Sequence, residues 1–292
     1  MTMTQQGASR QLVLATTKEE LAVALAAPAG RRALVMTMGA LHAGHLALVE
    51  RARELGDQVV VTIFVNPLQF GPEEGLDHYP RDLDGDVALL SVAGVDVVFA
   101  PSPSEVYPDG DPVVTVSAGQ VGAVLEGVAR PGHLDGVLTV VLKLLHLIRP
   151  DVALFGQKDA QQLMAVRRMV WDLDVPVEVV AVPTVRDADG LALSSRNAFL
   201  SPEERHRALA LSRALRAGEA VAGRGAAAVR SAAAEVLGAA ELEVDYLALV
   251  DPATVAEMSD QGVGDAVLAV AARVGSTRLI DNAPVRLGRP QH

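Results

Sequence analysis

Residues 33–45 read Ala-Leu-Val-Met-Thr-Met-Gly-Ala-Leu-His-Ala-Gly-His, an apolar run that passes through a glycine turn into a pair of histidines. The run 33–37 lacks polar alternation, which is typical of a strand buried on both faces. After the turn, apolar residues recur at helical spacing as far as Leu55, and residues 59–65 form a second apolar run. Strand, turn, helix and strand make one βαβ unit, whose two strands are parallel.

The same alternation continues along the chain. Helical patterns are followed by short apolar runs three more times, with helices predicted at 84–93, 136–148 and 159–171 and strands at 95–100, 152–155 and 177–182. This rhythm predicts an α/β fold with a doubly wound, Rossmann-like parallel sheet and helices on both faces.

The rhythm breaks at the polar segment 183–197. A helix is then predicted from Ser201, because Pro202 suits its first turn and Glu204 completes a capping box. Alanine-rich helices continue to about residue 240, followed by predicted strands at 244–250, 267–273 and 278–281. We therefore predict two domains, a Rossmann-like domain over 1–184 and a smaller α+β domain over 185–292.

Composition narrows the class of protein. The 292 residues carry a formal charge of −11, which does not favour the broad positive surface that non-specific nucleic-acid binding needs. The chain has no cysteine, and its first ten residues lack the apolar core of a signal peptide. The most apolar stretch, 137–148, is too short to span a bilayer. These features predict a cytoplasmic protein without nucleic-acid or membrane partners.

Two histidines stand where a doubly wound sheet binds its ligands. His42 and His45 follow a strand and a glycine turn and begin a helix, whose N-terminal amides and partial positive charge suit phosphate. Two imidazoles flanking Gly44 can donate hydrogen bonds to phosphoryl oxygens. The alternative is an ordinary helix cap with two surface histidines.

Two other segments carry groups suited to phosphate. Lys158 and Asp159 follow the predicted strand 152–155, although such a pair also begins many solvated helices. In the polar segment, Ser194 and Ser195 precede Arg196, whose guanidinium matches phosphate oxygens; a simple linker is the alternative there.

The order and spacing of several segments resemble the pantothenate synthetase (pantoate–β-alanine ligase) family, which belongs to the H-x-G-H nucleotidylyltransferase superfamily. The resemblance runs from about residue 10 to 288 and rests on residues 37–45, 63–71, 79–81, 132–133, 136–141, 156–159 and 194–197. It implies that ATP adenylates the carboxylate of (R)-pantoate with release of pyrophosphate. The amine of β-alanine then displaces AMP to give pantothenate. It also implies Mg²⁺ and a homodimer, and a mobile C-terminal lid would fit the need to shield the adenylate.

The resemblance also implies a role for each matching residue. The catalytic residues would be His42, His45, Lys158 and Arg196. ATP would contact Met38, His45, Gly156, Lys158, Asp159, Val185, Leu193, Ser194, Ser195 and Arg196. Pantoate would contact Met38, Gln69 and Gln162, and Mg²⁺ would lie near Asp86.

Three positions depart from the family pattern. Met36 replaces the usual proline, Gln157 replaces a glutamate beside Lys158, and Gly85 replaces a carboxylate next to Asp86. The last departure puts the metal ligands in doubt.

Other functions compete with this one. A nucleotidylyltransferase of the same superfamily would act on a phosphorylated acceptor and would need further basic residues where Gln69 and Gln162 are neutral. A class I aminoacyl-tRNA synthetase would need a basic tRNA-binding region. A module that binds nucleotide without turnover is the alternative outside catalysis.

Overall fold

The computed structural model describes residues 11–27, 29–71, 76, 79–240 and 242–289. The chain forms two compact units. The first comprises Met1–Val114, Val140–Leu154 and Pro176–Val180, and the second comprises Thr115–Thr139, Phe155–Val175 and Ala181–His292. The domain boundary expected near residue 184 remains a prediction, because these units are defined by contacts and each contains several segments of the chain.

A six-stranded sheet in the order β1-β4-β3-β2-β5-β6 confirms the predicted α/β class. Every pairing among β1 to β5 is parallel. The strand order runs outward from β2 on one side and from β5 on the other, so the switch point lies between these two strands. The strands are β1 Val13–Ala15, β2 Arg32–Thr37, β3 Gln58–Ile63, β4 Val97–Phe99, β5 Val152–Gly156 and β6 Glu178–Val182.

Helices connect these strands, and the alternating pattern predicted the four of them that have ten or more residues. They are α1 Lys18–Ala24, α2 Ala43–Leu55, α3 Leu83–Val92, α4 Pro103–Val106, α5 Glu126–Ala129, α6 His133–Ile148 and α7 Ala160–Asp172. Helix α6 begins at His133, three residues before the predicted start at residue 136. Strand β1 was not predicted, because only three residues form it and Val13 and Leu14 are partly exposed.

The second unit contains an antiparallel sheet of β7 Glu243–Val250, β8 Gly264–Val274 and β9 Thr277–Leu287. Helices α8 Pro202–Ala220 and α9 Ala226–Gly238 share an apolar core with this sheet. The predicted capping box is present, with Ser201 and Glu204 each bonded to the other's backbone amide.

Strand β9 is longer than the predicted 278–281. It continues through Pro284, because β9 is an edge strand of this sheet, where a proline without an N–H is tolerated. Among the described residues, no helix is long and apolar enough to cross a membrane.

Candidate active site

The turn after β2 has a backbone that few residues adopt. Gly39 has φ of 85° and Ala40 has φ of 51°, both in the left-handed region. The hydroxyl of Thr37 donates to the Thr62 carbonyl at 2.8 Å and accepts the Gly39 amide at 3.3 Å. These contacts fix where the chain leaves β2 and enters α2.

The carboxylate of Asp86 holds the same turn from α3. Oδ2 accepts the Ala40 amide and Oδ1 accepts the Leu41 amide, each at 2.9 Å. Asp86 is 4% exposed, so this charge is stabilised mainly by the two N–H donors.

His42 and His45 cap helix α2 with their own rings. Nδ1 of His42 accepts the Gly44 amide at 3.1 Å, and Nδ1 of His45 accepts the His42 amide at 3.3 Å. A neutral imidazole whose Nδ1 accepts carries its proton on Nε2. The ring centroids are 4.2 Å apart, so the capping box sets two Nε2–H donors beside the N-terminus of a 13-residue helix. The helix cap and the phosphate site proposed as alternatives are therefore compatible.

The amide of Gln69 is oriented by a buried neighbour. Asn66 is 1% exposed and donates through Nδ2 to Oε1 of Gln69 at 2.9 Å. The Tyr107 hydroxyl donates to Oδ1 of Asn66 at 3.0 Å. Burial, together with the charge of Asp111, raises the pKa of Tyr107 to about 12, which keeps this hydroxyl a donor at neutral pH. Met38 lies in the same unit, on a cavity of about 350 Å³ that Phe64 and Arg81 also line.

In the second unit, Lys158 lies in a 3-10 turn, Gln157–Asp159, between β5 and α7. Its side chain is 20% exposed, and its Nζ is 3.9 Å from Oδ1 of Asp159. The buried amide of Asn282, from β9, donates to the carbonyls of Gln157 and Lys158 at 2.8 Å each. The edge strand thereby holds the backbone of the lysine turn.

The segment with Ser194 and Arg196 follows a small hairpin. The Leu193 amide donates to the Val185 carbonyl at 2.9 Å, so the two backbones assigned to adenine are paired. Arg186, between them, makes a bidentate ion pair with the buried carboxylate of Asp281 at 2.7 and 2.9 Å. Ser194 then caps the next 3-10 turn by accepting the Arg196 amide at 3.2 Å.

The second unit brings several predicted residues to common pockets. Lys158, Gln162 and Arg196 line one cavity of about 60 Å³. Lys158, Ser194 and Arg196 line a smaller neighbour, whereas Ser195 is exposed and lines neither of these two.

The sequence did not reveal a group of connected polar residues that line these two cavities. Arg278 makes a bidentate pair with Glu126 at 2.7 and 2.8 Å, and the Tyr246 hydroxyl donates to Glu126 at 2.8 Å. The hydrogen bonds with Glu126 raise the pKa of Arg278, whereas burial raises the pKa of Tyr246. Arg278 therefore stays charged and Tyr246 stays protonated at neutral pH.

Gln161, in the first turn of α7, is only 6% exposed. Nε2 donates to the carbonyls of Val121 and Val124 at 2.7 and 2.8 Å, while Oε1 accepts the Glu126 amide at 2.9 Å. Gln161 thus fixes the loop that precedes α5, and both it and the adjacent Gln162 line the larger cavity.

The contacts of Asp86 bear on the expected metal site. Asp86 was expected near Mg²⁺, yet both its oxygens accept backbone amides and little of it reaches solvent. In the part of the chain that the structure describes, no three acidic, histidine or cysteine residues converge as metal ligands. These residues do not fit a protein-held ion, although Mg²⁺ can also be carried mainly by substrate phosphates.

Comparison with known proteins gives one family. The family model for pantoate-beta-alanine ligase matches residues 13–284. The pantothenate synthetase of Thermobifida fusca is 58% identical over 297 residues, covering 98% of this chain and 100% of the relative. That of Streptomyces avermitilis is 54% identical and covers 89% of this chain and 94% of its own.

Solved structures agree. The crystal structure of pantothenate synthetase from Thermus thermophilus has a TM-score of 0.86 and 53% identity, covering 93% of this chain and 98% of that one. The pantoate-beta-alanine ligase of Francisella tularensis, complexed with beta-gamma ATP and beta-alanine, has a TM-score of 0.76 and 30% identity over 93% of this chain and 97% of its own. The chain therefore belongs to the pantoate-beta-alanine ligase family.

Proposed function

We propose that this enzyme uses ATP to join the carboxylate of (R)-pantoate to the amine of β-alanine through a pantoyl-adenylate intermediate. In the first step a pantoate oxygen attacks the α-phosphorus of ATP, and the bond to the leaving pyrophosphate breaks. In the second step the β-alanine amine attacks the acyl carbon, and AMP leaves with one oxygen of pantoate. Family membership supports the overall reaction, and the structure in complex with beta-gamma ATP and beta-alanine supports the substrates.

The observation that carries the chemistry is the double cap at the start of α2. His42 and His45 each use Nδ1 as an acceptor, so each neutral ring has a donor at Nε2. Positioned donors stabilise charge that develops on a phosphate under attack, and they need no reorganisation at that moment. In this proposal the two Nε2–H groups serve the α-phosphate.

The other phosphates require positive charge, because pyrophosphate leaves as an anion. Lys158 and Arg196 provide it, and the fact that both line one pocket supports a shared role. Ser194 and Ser195 add short hydroxyl donors. Gly156 and Asp159 serve the ribose, and the paired backbones of Val185 and Leu193 border the adenine.

Pantoate needs amide groups that recognise hydroxyl and carboxylate oxygens. Gln69 and Gln162 serve this purpose, with Met38 against the acyl group. The hydrogen bond from Asn66 supports the assignment of Gln69, since it sets the orientation of that amide.

Three further features complete the proposal. Mg²⁺ accompanies the ATP phosphates, the enzyme is a homodimer, and it acts in the cytoplasm. Sedimentation analysis tests the dimer, and omission of Mg²⁺ from the assay tests the metal requirement.

The deciding experiment supplies the purified protein with ATP, Mg²⁺, (R)-pantoate and β-alanine. We expect AMP, pyrophosphate and pantothenate in equal amounts. Formation of ADP and phosphate would contradict the adenylate. Consumption of a phosphorylated acceptor without pantoate would point to a nucleotidylyltransferase, and ATP binding without turnover would point to a non-catalytic module.

A further inference from the structure

We infer that Asp86 is a positioning residue, which holds the Gly39–Leu41 turn and through it the two histidines, and that it is not a magnesium ligand. The inference rests on the proposed function, because it assigns Asp86 a task in the adenylation step. It depends on contacts within the first unit alone.

The geometry of the carboxylate matches the turn on both sides. Ala40 and Leu41 present successive amides in the same direction, and Asp86 accepts one with each oxygen at 2.9 Å. The left-handed φ of 51° at Ala40 is unusual for a residue with a side chain, so it needs support from its surroundings. The two charge-assisted hydrogen bonds provide that support.

Gly39 shows how closely the carboxylate and the turn fit. A Cβ atom at Gly39 would lie 2.9 Å from Oδ2 of Asp86 and 3.2 Å from the Ile63 side chain. The glycine is therefore required both for its φ of 85° and for the approach of the carboxylate.

The turn leads directly into the catalytic cap. Leu41 precedes His42, whose ring accepts the Gly44 amide and whose own amide donates to His45. A shift of the turn therefore moves His42, which carries one ring and whose amide holds the other. Small displacements of positioned groups have large effects on rate.

The same contacts argue against a metal role. Each oxygen of Asp86 already accepts a backbone amide, and the residue is only 4% exposed, so a cation with its water ligands has little access to the carboxylate. The described residues also supply no cluster of metal ligands around it.

The test compares Asp86→Asn and Asp86→Ala with Asp84→Asn, a change of an exposed aspartate on the same helix. Asparagine can accept only one of the two amides, and alanine accepts neither. We expect pyrophosphate release to fall about 100-fold in the alanine variant and less in the asparagine variant. The KM for β-alanine and the Mg²⁺ concentration at half-maximal rate stay within about twofold of the parent, and Asp84→Asn behaves as the parent.

A ligand role predicts a different pattern, in which the Mg²⁺ concentration at half-maximal rate rises tenfold or more in Asp86→Asn. That result, or an unchanged rate in Asp86→Ala, overturns the inference. Gly39→Ala disturbs the same contact, because its Cβ atom would press on the Asp86 carboxylate, and it should also slow pyrophosphate release.

Amide exchange gives a readout that does not depend on turnover. By NMR, we expect the Ala40 and Leu41 amides to be protected in the parent and to lose protection in Asp86→Ala without Mg²⁺ or ATP present. Unchanged protection also overturns the inference. If the parent makes no AMP while this protection pattern holds, the proposed function fails and the structural assignment of Asp86 stands.

Discussion

The side-chain amide of Asn282 donates to the main-chain carbonyl of Lys158 at 2.8 Å, and to the preceding carbonyl of Gln157 at the same distance. One buried amide on an edge strand therefore satisfies two acceptors in the turn that presents the lysine. The position of Lys158 depends on a residue more than a hundred positions away along the chain.

Replacing Asn282 tests this dependence. We expect Asn282→Ala to lower the free energy of unfolding by about 1–3 kcal/mol, since buried acceptors lose their donor, and to raise the KM for ATP. Asn282→Asp keeps the size but directs a carboxylate at two carbonyls, so it should be at least as harmful. Urea denaturation and initial rates measure both effects. An unchanged KM in a folded Asn282→Asp variant would contradict the role of this contact.

Adjacent glutamines in α7 make a matched pair. Gln161→Leu leaves the Glu126 amide and two carbonyls without their partner, and we expect it to lower the free energy of unfolding by about 2–5 kcal/mol. Gln162→Leu should change that free energy by only about 0.5 kcal/mol and should raise the KM for pantoate. Denaturation curves and pantoate titrations separate the two outcomes, and the reverse pattern would contradict the assignments.

Removal of one imidazole tests the double cap. We expect His45→Ala to slow pyrophosphate release about 100- to 1,000-fold, the usual effect of losing one placed donor, while the loss of a capping contact costs only about 1 kcal/mol of stability. Rapid-quench measurement of the first step with ATP and pantoate gives the rate. His206→Ala, at an exposed position of α8, is the control. A rate equal to that of the control would exclude the proposed role of His45.

Alkaline pH tests the buried hydroxyl of Tyr107. Its pKa is raised to about 12 in the folded protein and is about 10 in an unfolded chain. Its contribution, about 3 kcal/mol, is therefore fully present below pH 10 and is lost as the pH rises from about 10 through 12. We expect the stability difference between the parent and Tyr107→Phe to be constant from pH 7 to 9 and to shrink above pH 10. A difference that shrinks below pH 9 would contradict the raised pKa.

Local patterns predicted the strands and helices that frame the site, because buried parallel strands are continuous apolar runs and α2 and α8 have clear starting signals. They did not predict β1 or the full length of β9. A three-residue edge strand has little pattern of its own, and Pro284 is acceptable only because β9 lies at an edge.

The parts of the site that could be predicted are those whose residues contact each other within one short segment. His42 and His45 contact each other and are only three positions apart, so the motif is visible in the sequence. Asp86 meets Leu41 across 45 positions, and Arg278 meets Glu126 across 152. Such pairs depend on how the strands and helices are arranged in space. The amide contacts of Asp86, in the first turn of α3, and the roles of Gln161 and Asn282 could therefore not be predicted from local patterns.

Oxygen transfer tests the adenylate most directly. The protein is supplied with ATP, Mg²⁺, β-alanine and pantoate labelled with ¹⁸O in its carboxylate, and the products are examined by mass spectrometry. Attack on the α-phosphorus followed by departure of AMP predicts one ¹⁸O atom in AMP and none in pyrophosphate. Label in inorganic phosphate, or unlabelled AMP alongside labelled pantothenate, would contradict the account.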